Sequence, residues 1–142
     1  MSIYAIIETN VIVSALLSKH SDSATVLLIE RMLRGDLIPV FSSETMREYA
    51  EVLGRKKFKF SHEQISYILS AIARYGLMLE PPPSGEILPD MKDLPFYEVV
   101  MEKRKTDESY LVTGNQKHFP ILPFIVSPKE MLDVMDGKQS GL

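Results

Sequence analysis

Several short stretches of the chain carry acids or amides at positions where chemistry could be done. Glu8, Thr9 and Asn10 follow directly on a near-continuous apolar run, Ile3 to Ile7. Gly114 and Asn115 follow on a second such run, Tyr110 to Thr113. Asp90 and Asp93 open a helical segment beyond a proline-rich loop. A run of apolar, β-branched residues reads as a strand buried on both faces of a parallel sheet. A carboxylate at the C-terminal end of such a strand lies at the edge where open α/β sheets place their ligands. Plainer readings stand beside this one. Glu8 can be a helix-start charge, Thr9 or Asn10 a helix cap, and Asp93 the N-cap of the helix it precedes.

Other chemistries lack their residues. There is no cysteine, so a thiolate nucleophile, a disulfide scaffold and a zinc–thiolate centre are excluded. Ser14 and Ser127 have no histidine and base pattern around them, so a serine hydrolase is not supported. His20, His62 and His118 show no spacing for a metal site or a triad, and His118 reads as a surface histidine near Asn115. No glycine-rich dinucleotide or Walker loop is present.

The elements that must position these residues alternate between strand and helix. A short buried helix is expected over 11–17 and a second over 24–34, stopped at Gly35. Leu37 to Phe41 is a strand. Ser42 and Ser43 start a helix whose core stripe is Met46, Tyr49, Ala50 and Leu53, with Glu44, Glu48 and Glu51 on the adjoining flank. Ser61 to Gln64 is a capping box opening a helix that buries Ile65, Ile68, Leu69 and Ile72 and stops at Gly76. Leu77 to Leu79 is a possible strand. Pro95 falls in the first turn of the helix after Asp93, which runs to Lys103, Arg104 and Lys105. Phe124 to Val126 is the last strand, and Ser127, Pro128 and Glu130 open the last helix. Strands alternating with helices imply a parallel sheet covered on both faces.

The 142 residues suit one domain with a real core. At 45% apolar and 25% charged residues, the balance is that of an ordinary globular chain. No stretch reaches the length of a membrane span, and no basic region precedes the first apolar run as in a signal peptide. The absence of cysteine suits a reducing, cytoplasmic setting. A net charge of −3 argues against a general nucleic-acid coat but not against a nuclease with an acidic metal site and a local basic grip. Arg55, Lys56, Lys57, Phe58, Lys59 and Phe60 form the dense basic run, interleaved with aromatics. It reads equally as a grip on RNA, with an aromatic free to stack, and as a charged turn with its phenylalanines packed inward.

Taken together, four fragments resemble the PIN-domain family of small α/β nucleases, many of them toxins of bacterial toxin–antitoxin pairs. The first is Ile6-Ile7-Glu8-Thr9-Asn10-Val11-Ile12-Val13-Ser14-Ala15-Leu16-Leu17. The second is Glu48-Tyr49-Ala50-Glu51-Val52-Leu53-Gly54-Arg55 with Lys57-Phe58. The third is Asp90-Met91-Lys92-Asp93, and the fourth is Tyr110-Leu111-Val112-Thr113-Gly114-Asn115 with Phe119 further on. The match runs in order over nearly the whole chain.

The resemblance implies a three-layer α/β/α PIN-like fold with a central, mostly parallel sheet of four or five strands. It implies a single domain over 1–142, with a frayed tail at 139–142. Glu8, Glu48, Asp93 and Asn115 take the places of metal ligands for Mg²⁺ or Mn²⁺, which favour oxygen donors. Asn10 would orient the first carboxylate or the attacking water, Thr113 would hydrogen-bond within the site, and Asp90 would support it from the loop. Glu51 is the competitor for the role given to Glu48. Arg55, Lys56, Lys57 and Lys59 would contact nucleic acid. The implied activity is a metal-dependent endoribonuclease, a toxin with a separate antitoxin and a homodimer. Helical surface around 24–34 and 61–75 would serve the dimer. Two departures from the family pattern, Glu8 for an aspartate and Asn115 for an aspartate, keep a second reading open: a PIN domain that binds RNA or a protein without cutting.

Overall fold

The computed structural model describes residues 2–137; the tail expected at 139–142 lies outside them. The order of elements is β1 (Tyr4–Ile7), α1 (Thr9–Leu17), α2 (Ala24–Leu33), β2 (Ile38–Phe41), α3 (Ser43–Leu53), α4 (His62–Tyr75), β3 (Leu77–Met78), α5 (Leu94–Lys103), β4 (Ser109–Val112), β5 (Ile125–Val126) and α6 (Pro128–Met135). Five parallel strands form one sheet in the order β3-β2-β1-β4-β5. Helices flank it in a three-layer α/β/α arrangement, as expected from the alternation of elements. The central strand β1 buries Ala5, Ile6 and Ile7 almost completely, which is why it reads as continuous rather than alternating.

The capping signals translate directly. Ser23, Ser61 and Ser127 each accept from the backbone three residues on, and Ser61 and Ser127 form reciprocal boxes with Gln64 and Glu130. Ser42 forms another with Thr45. That box has a consequence for α3. Thr45 spends its hydroxyl on the Ser42 backbone (N–H to Oγ1, 2.8 Å), so it can be fully buried without an unpaired polar group. The buried stripe is therefore Thr45, Tyr49 and Leu53, at i, i+4 and i+8, with Met46 alongside. Ala50, assigned to the core from spacing, is exposed.

Gly76 ends α4 because nothing larger fits. A Cβ there would lie 2.5 Å from the Pro39 carbonyl oxygen of β2 and 2.4 Å from that of Ile72. The helix end thus comes down onto β2 and leads straight into β3, a short edge strand with Leu77 and Met78 exposed.

Register places the strand ends. Ile7 lies opposite Val112, so the next residues, Glu8 and Thr113, leave neighbouring strands side by side. The Glu8 amide still donates to the Val112 carbonyl (3.0 Å), and the Thr113 amide to Val126 (2.9 Å). Both side chains are thus delivered to the C-terminal edge of the sheet by backbone pairing.

Candidate active site

The edge is built from residues upward, beginning with Glu8. It occupies the N-cap position of α1 but makes no side-chain cap bond; Thr9 and Asn10 lie inside the helix. The capping role expected of Thr9 or Asn10 is therefore corrected. Glu8 is 4% exposed, and Thr113, itself fully buried, donates its hydroxyl to Glu8 Oε2. Thr9 donates its hydroxyl to Glu48 Oε2, tying α1 to α3. Thr9 was not anticipated as a site residue, because nothing in local sequence names a partner 39 positions away.

Glu48 and Glu51 separate cleanly. Glu48 turns toward α1 through Thr9, while Glu51 turns outward to pair with Arg55 at 2.9 Å. Between Glu48 and the sheet lies Tyr49, whose buried hydroxyl donates to the Ile7 carbonyl just before Glu8. Burial, and then the negative charges of Glu48 and Glu8, push that phenol far up, so it stays neutral and remains a donor.

Asp93 comes from a 3-10 turn, Met91–Asp93, capped by Asp90, whose Oδ1 accepts from the Lys92 amide at 3.0 Å. Asp93 stands at the N-cap position of α5 but makes no cap bond. Its Oδ2 faces His118 Nδ1 at 3.0 Å instead, which corrects the reading of Asp93 as a side-chain cap. The other ring nitrogen, Nε2, faces Asn115 Nδ2 at 3.2 Å. A second 3-10 turn, Gln116–His118, makes this possible by folding His118 back over Asn115. His118 was read as a surface histidine, but the structure ties it to both Asp93 and Asn115. The clue available in sequence was its spacing of three from Asn115, which is one such turn. Asn10 is exposed on the first turn of α1, apart from these hydrogen bonds.

The electrostatics join the three acids. The carboxyl groups of Glu8, Glu48 and Asp93 are all held above their ordinary values, in each case mainly by burial. Hydrogen bonds from Thr113, Thr9 and His118 oppose the shift, and neighbouring acids add to it. Asp93 and Glu48 act on Glu8, Asp93 on Glu48, and Asp90 on Asp93. Carboxyl groups raised by burial and by neighbouring acids, with only partial offset from His118 and Arg55, form a site with an excess of negative charge. An oxygen-rich, anionic donor set fits a hard divalent cation such as Mg²⁺ or Mn²⁺. A further group with metal-binding spacing comprises Asp90, Asp93 and His118, whose ligand atoms lie within 4.8 Å of one another.

The basic run occupies a 3-10 turn after α3, and its first residue, Arg55, acts on the charge of Glu48. Lys56, Lys57 and Lys59 are exposed, whereas Arg55 is engaged with Glu51. Phe58 and Phe60 stack on each other at 5.5 Å and pack partly buried against the core. Of the two readings of this run, its phenylalanines follow the inward one.

A parallel α/β sheet whose C-terminal edge gathers buried, mutually repelling acids defines a class of small acid-site domains. A family model described as PIN domain matches residues 4–117, from the start of β1 to Lys117 beside His118, and the chain belongs to the PIN-domain family. That is a nuclease-type family whose members generally use divalent metal ions. No curated protein and no solved structure matches the chain significantly. Among the described residues no helix is long and apolar enough to cross a membrane.

Proposed function

We propose that the chain is a metal-dependent endoribonuclease that hydrolyses RNA phosphodiesters, with Glu8, Glu48 and Asp93 as the residues that hold Mg²⁺ or Mn²⁺. The observation that carries this is the gathering of those three carboxyl groups at the C-terminal sheet edge of a PIN-domain fold, each with its own hydrogen-bond partner. A divalent cation bound there would neutralise phosphate charge, lower the pKa of a water and stabilise the leaving oxygen. The chain's own contribution is orientation. Thr113 aims Glu8, Thr9 aims Glu48 and His118 aims Asp93. Tyr49 holds the end of β1 in place beneath them. Exposed Lys56, Lys57 and Lys59 would draw in the phosphate backbone.

The finer reading, a cytoplasmic toxin of a toxin–antitoxin pair that forms a homodimer, rests on the resemblance of the four motifs. For the dimer, α4 offers exposed Tyr67 and Tyr75.

The test is calorimetric Mn²⁺ titration with a single-stranded RNA cleavage assay on wild type, Glu48→Gln and Glu51→Gln. Glu48→Gln should lose at least about 10-fold in Mn²⁺ affinity and most of the cleavage, and Glu51→Gln should lose neither. Equal losses in both variants would refute the assignment of Glu48. Wild type that binds Mn²⁺ but cuts none of a varied set of RNAs would favour the non-cutting PIN domain.

A further inference from the structure

The position where the family pattern has a fourth acid is Asn115, and its side chain is turned to His118. An amide nitrogen can only donate, so the Nε2 it faces must accept. The proton of a neutral imidazole then sits on Nδ1, where it donates to Asp93 Oδ2 at 3.0 Å. Both ring nitrogens are thereby occupied, which leaves His118 no lone pair for a metal.

A continuous chain of hydrogen bonds results. Asp93 accepts from His118, His118 accepts from the Asn115 side chain, and the Asn115 backbone N–H donates to Thr113 Oγ1 at 2.9 Å. Thr113 in turn donates to Glu8. The loop end is closed on itself by the His118 amide, which donates to the Asn115 carbonyl at 3.0 Å.

We infer that Asn115 serves the site through His118 rather than as a metal ligand, and that His118 is a positioning residue fixing the Asp93 carboxylate for the ion. An aspartate at 115 would have no N–H to offer Nε2, so the neutral amide is matched to this link. The inference rests on the proposed metal site, but the link itself is present without metal and can be tested without it.

Two measurements decide it. In metal-free protein, above the imidazole titration range, a long-range proton–nitrogen correlation spectrum reports which ring nitrogen of His118 is protonated. The Nδ1–H form is expected in wild type, and the Nε2 nitrogen signal should shift in Asn115→Ala as that atom loses its donor. A predominantly Nε2–H ring in wild type overturns the inference.

The second is Mn²⁺ affinity by calorimetry for Asn115→Ala, His118→Ala, the double variant and His118→Asn. Loss of a group that orients a ligand typically costs about 10- to 100-fold in metal affinity, so His118→Ala should fall in that range. Asn115→Ala should weaken binding in wild type, yet change it little once His118 is alanine, because its route to Asp93 is gone. His118→Asn can keep a donor near the Nδ1 position and should recover part of the loss. Losses that multiply in the double variant would show that Asn115 acts independently, and no recovery in His118→Asn would show that the ring itself ligates. Either result overturns the inference. Wild type with no Mn²⁺ affinity would refute the proposed metal site, and the ring spectrum would then decide the link alone.

Discussion

Thr113→Val removes one oxygen and leaves the shape of the side chain. Thr113 is fully buried, and its hydroxyl both donates to the buried Glu8 and accepts from the Asn115 amide. Among the described residues, no other group donates a hydrogen bond to the Glu8 carboxylate. A hydrogen bond to a charged group contributes about 1.5–3 kcal/mol and a neutral one about 0.5–1.5 kcal/mol. The variant should therefore lose about 2–4 kcal/mol near neutral pH. For a chain of this length that corresponds to a fall in Tm of roughly 6–16 °C.

The loss should also depend on pH. Glu8 already has a raised pKa through burial, and removing its donor raises it further. Once acidification protonates Glu8 in both proteins, the charged bond is gone from both, and the difference should shrink by about 1–2 kcal/mol. The assay is denaturant unfolding of metal-free wild type and variant at neutral pH and at the lowest pH where both stay folded. A loss under about 0.5 kcal/mol, or one unchanged between the two pH values, would refute the assignment of Thr113 as the donor that holds an ionised Glu8.

The three raised acids make a second prediction about the metal-free protein. A carboxyl group raised on folding contributes stability that is complete below its ordinary value and lost as pH rises through its folded value. Mild acidification from neutral pH should therefore raise Tm, and saturating Mg²⁺ at neutral pH should raise it without acid. Glu80 and Asp107, held low by Ser43 and by Lys103 with Thr106, oppose this only at lower pH, where they too become protonated. A Tm that falls steadily from neutral pH downward would contradict the cluster. Third, replacing Lys56, Lys57 and Lys59 together with alanine should reduce the salt dependence of single-stranded RNA binding by a log–log slope of about 2. An unchanged slope, measured by fluorescence anisotropy across a salt series, would place the RNA elsewhere.

Much of the scaffold was legible because it is governed by local rules. The serine caps at 61 and 127 depend on neighbours within a few residues, and Gly76 reads as a helix stop from its type, although its close contact is with Pro39 of β2. The buried run Ile3 to Ile7 announces a central parallel strand without reference to its partners. The positions of Glu8 and Asp93 at element ends could be read for the same reason. What each acid bonds to could not. Thr9 reaches Glu48, Thr113 reaches Glu8 and His118 reaches Asp93 across long sequence separations, and those partners are fixed by strand register and helix docking. The short 3-10 turns at 91–93 and 116–118 carry no periodic signal, yet one of them turns His118 inward. Ala50 was misplaced because spacing alone does not fix the rotation of α3, whereas the buried Thr45 cap does.

The pairing of Glu8 with Thr113 spans 105 residues, because β1 takes its neighbour β4 from the last third of the chain. Chains emerge from the ribosome N-terminus first. Glu8 is therefore made before the hydroxyl that orients it and waits while the 105 residues up to Thr113 are added. Asp93 arrives later but must await His118, another 25 residues on. A nascent or prematurely terminated chain ending before that histidine can carry the acids yet not the constellation. For the proposed ribonuclease, this order of synthesis would leave Glu8 and Asp93 without their orienting partners until Thr113 and His118 have been made.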